Sequence, residues 1–390
     1  MTMKEAPEGM RAELETQASI DAAWDSSAIK RRLSFSQPEP SLPIPHTSSD
    51  RQHAAAHDEA ISIAALEAER KVIAEEPEKE ALLEEEEEKK TILYLAYGSN
   101  MCAQTFRKTR KVTPLSQANV YVPNLCLTFD LPGVAYLEPC FAGTQYRDQK
   151  TGMPIYPGKP AQQVPIGKEG RWLKPLVGVV YEVTMKDYAR IIATEGGGSS
   201  YVDVVVDCHP FPENYDPDGP VPDMPDTEPF MAHTLLSPAT AGQSPGHCHE
   251  PEDVKKPAQL NPGFNRSRPH PDYARPSPRY MNLLITGAQE HDLPSEYRKY
   301  LSSVEPYRPT SIMQRIGQAT FGVMWIPPLL LSLRLNALFA NKDGKTPGWL
   351  AAFQRTLFAA SWMSYDSFFK YIFGDGERTI HTRASMAKLE

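Results

Sequence analysis

The sequence predicts an α+β fold, a mixed barrel or sheet with flanking helices, carried between two appendages. Three observations lead there. Between residues 91 and 286, short β-rich runs are interrupted by single helices without regular βαβ alternation, which disfavours a doubly wound sheet. The 390 residues exceed the needs of one compact domain, and a 41% hydrophobic composition supplies a sizeable core. The 37 prolines, close to twice the roughly 5% average share, keep much of the remainder out of regular structure.

Residues 1–90 read as a disordered, acidic tail. Gln37–Pro45 (QPEPSLPIP) cannot hold a helix, because proline lacks the donor and restricts its predecessor. His53–Glu76 has no proline and is rich in Ala, Glu, Ile and Leu, which predicts one solvated helix ending near Pro77. Lys30-Arg31-Arg32-Leu33-Ser34 fits a basophilic kinase site, a pattern that also arises by chance in polar tails. Between Glu67 and Glu88, eleven Glu face only Arg70, Lys71 and Lys79, which accounts for the entire net charge of −8. No basic face is left for nucleic acid.

Residues 91–310 have the texture of the folded domain. Thr91–Ala96 (TILYLA) is an apolar strand ending in the turn Tyr97-Gly98-Ser99-Asn100, and Met101–Lys108 is predicted as a helix. Asn119–Phe129 and Leu176–Val183 read as strands. Thr184 is an N-cap for a helix through Thr194, which Glu195-Gly196-Gly197-Gly198 breaks. Tyr201–Asp207 is β-rich and pairs with Met231–Leu236; Tyr280–Thr286 is read as a last strand before a helix from Ser295 to about Val304. Pro210–Pro278 holds 16 prolines in 69 residues. Within it, 237–274 has no periodicity and is expected to be a disordered insertion or lid that folding can do without.

Residues 311–390 form an apolar helical extension. Ile316–Leu333 is an 18-residue run without charge between Arg315 and Arg334, interrupted by Pro327-Pro328, which should break the helix. Trp349–Phe358 is a second apolar segment. Two readings follow: a broken interfacial hairpin touching a membrane through 316–340, or helices packed on the domain as extra core. The first is preferred.

Two places suit chemistry. In the Tyr97–Asn100 turn, glycine permits close backbone approach and successive amides form an anion cradle, although the same residues also make an ordinary tight turn. Glu195 follows the apolar positions Tyr188, Ile191 and Ile192 at a helix end. Desolvation and the negative helix pole would raise its pKa toward a proton-shuttling value; the bland alternative is an exposed Glu before a glycine turn. No metal is assigned, because Cys208-His209 and His247-Cys248-His249 sit in or beside proline-rich chain that offers no tetrahedral frame. No G-x-S-x-G elbow points to a serine hydrolase. Five cysteines without a C-x-x-C pair and a polar N-terminal stretch, Met1–Ala22, predict the cytosol.

Taken together, three blocks resemble the γ-glutamylcyclotransferase family. Leu93–Met101 (LYLAYGSNM) resembles its substrate loop. Gly178–Val183 (GVVYEV), followed by Glu195-Gly196 and then Tyr201, resembles its catalytic-glutamate region. Arg279–Ala288 (RYMNLLITGA) and Leu293–Tyr297 (LPSEY) resemble its closing strand and helix. The likeness covers roughly 91–306, and the tail and extension suggest a fungal form.

The resemblance implies a small mixed β-barrel with flanking helices. It implies that Tyr94, Leu95, Ala96, Tyr97, Gly98, Ser99 and Asn100 bind the γ-glutamyl group, that Tyr280 lines the pocket, and that Glu195 is the acid/base. The YGSN loop departs from two branches of the family: the glutathione-specific one typically has leucine after the serine, and the γ-glutamylamine one threonine in its place. The implied reaction needs no cofactor. The α-amine of a γ-glutamyl amide attacks its own γ-carbonyl, giving 5-oxoproline and a free amine. The expected partners are that small-molecule substrate and a second copy of the chain. The competing readings are a non-catalytic scaffold of the same fold, and an enzyme acting on glutathione or glutathione-conjugated metabolites.

Overall fold

The structure is a computed structural model that describes residues 43–61, 90–156, 171–194, 202–236, 268, 273–339 and 347–380. Five strands close a mixed barrel: β1 (Thr91–Ala96), β2 (Ser116–Val122), β6 (Leu176–Thr184), β7 (Val202–Pro210) and β8 (Phe230–Leu236). Their order is β1-β6-β2-β7-β8, and every neighbour pair is antiparallel except β8 to β1, parallel with Tyr94 opposite His233. β3 (Leu125–Val134), β4 (Glu138–Arg147) and β5 (Pro154–Ile155) form a separate antiparallel sheet.

The apolar runs explain the barrel. β1 is buried from Ile92 to Ala96, and β6 from Leu176 to Tyr181, as continuous hydrophobic strands covered on both faces should be. At Gly178 a Cβ would lie 2.7 Å from the Ala96 carbonyl oxygen, so the missing side chain lets β6 approach β1 closely. Thr184 closes β6, and its hydroxyl accepts from Asp187 N at 3.1 Å, starting helix α2 (Met185–Thr194).

Several expectations are corrected. The single strand read at Asn119–Phe129 is two strands in different sheets. Pro123 cannot donate to a continuing ladder, and the chain turns at Pro123-Asn124. The predicted Met101–Lys108 helix is instead a 3₁₀ turn at Ser99–Met101 followed by a π turn at Gln104–Thr109. The Tyr280–Thr286 strand is part of helix α3 (Pro278–Glu290). Ser277 caps that helix by accepting from Tyr280 N at 3.1 Å, and Pro278 fits its first turn. Its buried Tyr280, Met281, Leu284, Gly287 and Ala288 follow a helical period, which outweighs the β-preference of single residues. Helix α4 (Ser295–Ser303) stands where a helix was expected.

The tail expectation is corrected for residues 45–61, which pack on the barrel. Pro45–Thr47 runs along the edge of β2, with Thr47 N donating to Gln117 O and Gln117 N to Pro45 O, both at 2.9 Å. This covers backbone groups that β7, paired only at Val120–Tyr121, leaves open. Helix α1 (Ser49–Ala54) follows, and its Arg51 meets Glu182 at 3.1 Å. The helix expected over His53–Glu76 is not continuous: Ala55–His57 is a 3₁₀ turn and Asp58 is extended, while 62–89 lies outside the described residues.

The C-terminal extension contains α5 (Ile312–Phe339), α6 (Gly348–Ser364), a π turn at Tyr365–Phe369, and α7 (Lys370–Phe373). Pro327-Pro328 does not break α5. Phe321 and Ser332, eleven residues apart and so on one helical face, are both buried, which holds the two halves in line. Phe321, Trp362, Tyr365 and Phe369 bury Tyr136, the residue at the tip of the β3–β4 hairpin. Tyr136 has a φ of 63°, a strained setting for a bulky residue. Its hydroxyl donates to Gly374 O at 2.6 Å, and its amide donates to Gly376 O at 2.8 Å.

The boundary of the insertion also moves. Arg268, inside the expected disordered 237–274 segment, forms ion pairs with Asp366 at 2.7 Å and Glu377 at 2.8 Å. Ala274 is buried and the Tyr273 hydroxyl donates to Asp375 at 2.6 Å. Charge pairing fixes these residues where proline content alone suggested irregular chain.

Candidate active site

The β1 strand delivers its last residues to the barrel end, where the Tyr97–Asn100 turn begins. A small, open cleft lies there. Tyr94, Tyr97, Gly98, Ser99, Asn100 and Tyr280 line it, together with Leu131, Ala142 and Leu235. Thus the fold brings together six of the residues singled out by sequence, from β1, the loop and α3. Leu95 and Ala96 do not line the cleft. They are buried in the ladder with β6, where strand alternation turns Leu95 away from the face that Tyr94 presents.

The loop is held from several sides. Asn100 Nδ2 donates to the Tyr94 hydroxyl at 2.9 Å, tying the turn back to the strand. The Tyr97 hydroxyl donates to Leu235 O at 3.3 Å, tying it to β8. Met101 N and Cys102 N donate to Gly98 O and Ser99 O at 3.1 Å, winding the 3₁₀ turn. Behind it, α3 comes so close at Gly287 that a Cβ would sit 2.8 Å from Cys102 N. Glu290, at the end of α3, accepts from Ala103 N at 2.8 Å. Burial raises the pKa of the Glu290 carboxyl, and that amide bond opposes the rise.

The opposite wall comes from the β3–β4 hairpin. Ala142 N donates to the Tyr280 hydroxyl at 3.2 Å. A register shift between Thr128 and Leu131 bulges β3 and re-aims Leu131 at the cleft. Buried Asp130 fixes the bulge by accepting from the Thr128 hydroxyl and from Gln145 Nε2, each at 2.6 Å. Gly143 makes room for that carboxylate, since a Cβ would lie 2.5 Å from Asp130 Oδ1. Sequence reasoning missed Leu131, Ala142 and Leu235. Leu235 lay in a predicted strand, but nothing in the spacing of the other two marks them: Leu131 is aimed by the β3 bulge, and Ala142 lies on β4, which lacks apolar alternation.

Glu195 lies outside the described residues. Its flanks are α2, ending at Thr194, and β7, starting at Val202. A buried network ties these flanks together. Asp203, fully buried, accepts from the Tyr188 hydroxyl, from His233 Nδ1 at 2.9 Å and from Ile61 N at 2.6 Å. Tyr188 also packs on Tyr94, 5.9 Å between ring centres, so the network touches the cleft wall. Burial, aided by Glu290, raises the pKa of the nearby Cys102 thiol and so favours its protonated form.

A mixed barrel whose loop after β1 faces a tyrosine cleft defines a class that comparisons with known proteins identify. The chain is 29% identical over 301 residues to γ-glutamyl cyclotransferase gliK of Aspergillus fumigatus, covering 76% of this chain and 93% of that protein. It is 29% identical over 292 residues to γ-glutamyl cyclotransferase aclK of Aspergillus oryzae, covering 73% and 90%. Against γ-glutamyl cyclotransferase verK of Clonostachys rogersoniana it is 35% identical over 144 residues, covering 36% of this chain and 70% of that one. Residues 311–372 match the AclK C-terminal domain family. A solved structure titled γ-glutamyl cyclotransferase aligns with a TM-score of 0.33 at 16% identity over 59% of this chain and 99% of that one, too distant to bear on the assignment. The chain belongs to the γ-glutamyl cyclotransferase family and is an enzyme of that class.

Proposed function

We propose that this enzyme releases 5-oxoproline from γ-glutamyl amino acids or peptides, with Glu195 as the acid/base. The observation that carries this reading is the convergence of Tyr94, Tyr97–Asn100 and Tyr280 on one cleft. The substrate's α-amine attacks its γ-carbonyl, so a C–N bond closes the five-membered lactam while the γ-amide C–N bond breaks. The Glu195 carboxylate takes the proton that the attacking amine loses and returns it to the departing amine. Amides of Gly98 and Ser99 stabilise the oxyanion that forms in between. Because both reacting groups belong to one molecule, holding it folded supplies much of the acceleration.

The YGSN loop binds the γ-glutamyl part common to all such substrates, and the leaving group is selected at the cleft walls that Leu131 and Leu235 form. The enzyme works in a reducing compartment, the cytosol. Cys102, Cys126, Cys140 and Cys208 are buried and joined by no disulfide. The test is a side-by-side assay of 5-oxoproline release from γ-glutamyl dipeptides, glutathione and glutathione conjugates. Release from at least one, with the amine in equal amount, supports the reading; no release from any would favour the non-catalytic scaffold.

A further inference from the structure

Helices α5 and α6 are apolar on nearly all sides, yet only one side of each is buried against the Tyr136 cluster. On α5 the outward residues Ile316, Val323 and Leu330 recur every seven positions, which places them on one stripe, and Val323 is 78% exposed. On α6, Trp349, Phe353 and Met363 are likewise exposed. Scattered surface apolars need no explanation, but two continuous stripes on adjoining helices do.

The charges on these helices choose the occupant. Their described charged residues are Arg315, Arg334 and Arg355, and neither helix contains an Asp or Glu. The acidic residues that follow are paired: half-exposed Asp366 and buried Glu377 with Arg268, and Asp375 with the Tyr273 hydroxyl. Among the described residues of the two helices, the exposed apolar face is therefore accompanied only by positive charge, at Arg334 and Arg355. A second copy laid on it would bring arginines against arginines. An anionic lipid surface would meet them with opposite charge, while apolar side chains enter the headgroup boundary and exposed Trp349 and Tyr371 sit at headgroup level. Among the described residues no helix is long and apolar enough to cross a membrane, so the geometry suits helices that lie in the surface.

We infer that α5 and α6 dock the enzyme on the surface of a membrane containing anionic lipid, through the stripe Ile316–Val323–Leu330 and the exposed face of α6. The test is co-sedimentation of the full chain with vesicles of phosphatidylcholine alone and with about one third phosphatidylserine. Binding is expected at least tenfold stronger to the anionic vesicles and weakened by salt. The doubly substituted Val323→Glu, Leu330→Glu chain should lose at least tenfold in vesicle binding, with far-UV circular dichroism and 5-oxoproline release unchanged. Arg334→Gln with Arg355→Gln should reduce only the preference for phosphatidylserine. A chain that stays in the supernatant with both vesicles overturns the inference. So does equal, salt-insensitive binding to both, or a dimer that Val323→Glu dissociates, which would assign the face to a second copy.

Discussion

The Tyr280 hydroxyl lies 3.3 Å from the point where a Cβ on Gly98 would stand, so the helix and the loop meet across the cleft with little room for a side chain. Gly98 has φ −109°, so its role is one of space and not of left-handed backbone. Gly98→Val would thrust a branched side chain against Tyr280 and into the cleft. The expected result is a folded protein whose affinity for a γ-glutamyl ligand falls at least tenfold by calorimetry. Unchanged affinity would remove the loop from the binding site.

Glu195→Gln tests the acid/base role. The amide keeps the size of the side chain but cannot take up the amine's proton, so kcat should fall by about 10²–10⁴. Ligand affinity should change little. A well-folded Glu195→Gln protein with near-normal turnover would transfer the proton chemistry to another group.

His291 ties pH to the substrate loop. Its Nε2 lies 3.0 Å from Met101 O and 2.8 Å from the Tyr181 hydroxyl, while its Nδ1 is buried with no partner among the described residues. Burial lowers its pKa below the ordinary 6.5. The unfolded chain therefore takes up the proton first as pH falls. Stability from this group is fully present above about pH 6.5 and declines as pH drops from there toward the folded pKa. Melting temperature should fall between about pH 7.5 and about pH 5.5, and KM should rise with it because Met101 ends the loop. Burial raises the Glu290 pKa, which acts in the opposite sense, so the comparison with His291→Gln isolates the histidine. A pH slope identical in His291→Gln would show that another group is responsible.

The barrel strands β1, β6, β7 and β8 were legible because buried strands are written as unbroken apolar runs. Strand β4 was not, since Glu138–Arg147 (EPCFAGTQYR) is mixed and its burial comes from pairing with a β3 strand that itself bulges. Helix α3 was misread from the strand-like Leu283-Leu284-Ile285-Thr286, although Ser277-Pro278 marked a helix start three residues earlier than the apolar run was begun. The substrate loop could be read from one contiguous segment. The wall opposite it could not, because Leu131 and Ala142 reach the cleft only through a bulge and a cross-strand pairing that no local pattern encodes.

Arg268 is the other residue hidden from sequence, and it yields the last prediction. Its guanidinium bonds both oxygens of Glu377 at 2.8 Å and both of Asp366 at 2.7 Å, and lies 4.0 Å above the Trp362 ring. Glu377 is 2% exposed, so Arg268→Ala strands a buried carboxylate, a loss that typically costs about 3–5 kcal/mol. Lys370, 3.4 Å from Glu377, offsets part of that cost. In a chain this size each kcal/mol moves the melting temperature by roughly 2–4 °C, so a drop of several degrees is expected. Replacing only 237–267 with a short Gly/Ser linker retains the anchor, and closing a shorter loop changes the entropy little. That variant should melt close to wild type, whereas replacing 237–274 should behave like Arg268→Ala or worse. Scanning calorimetry of the three variants decides. If Arg268→Ala melts with wild type, the ion pairs do not hold the extension; if the 237–267 replacement melts as low as Arg268→Ala, the proline-rich segment itself packs on the domain.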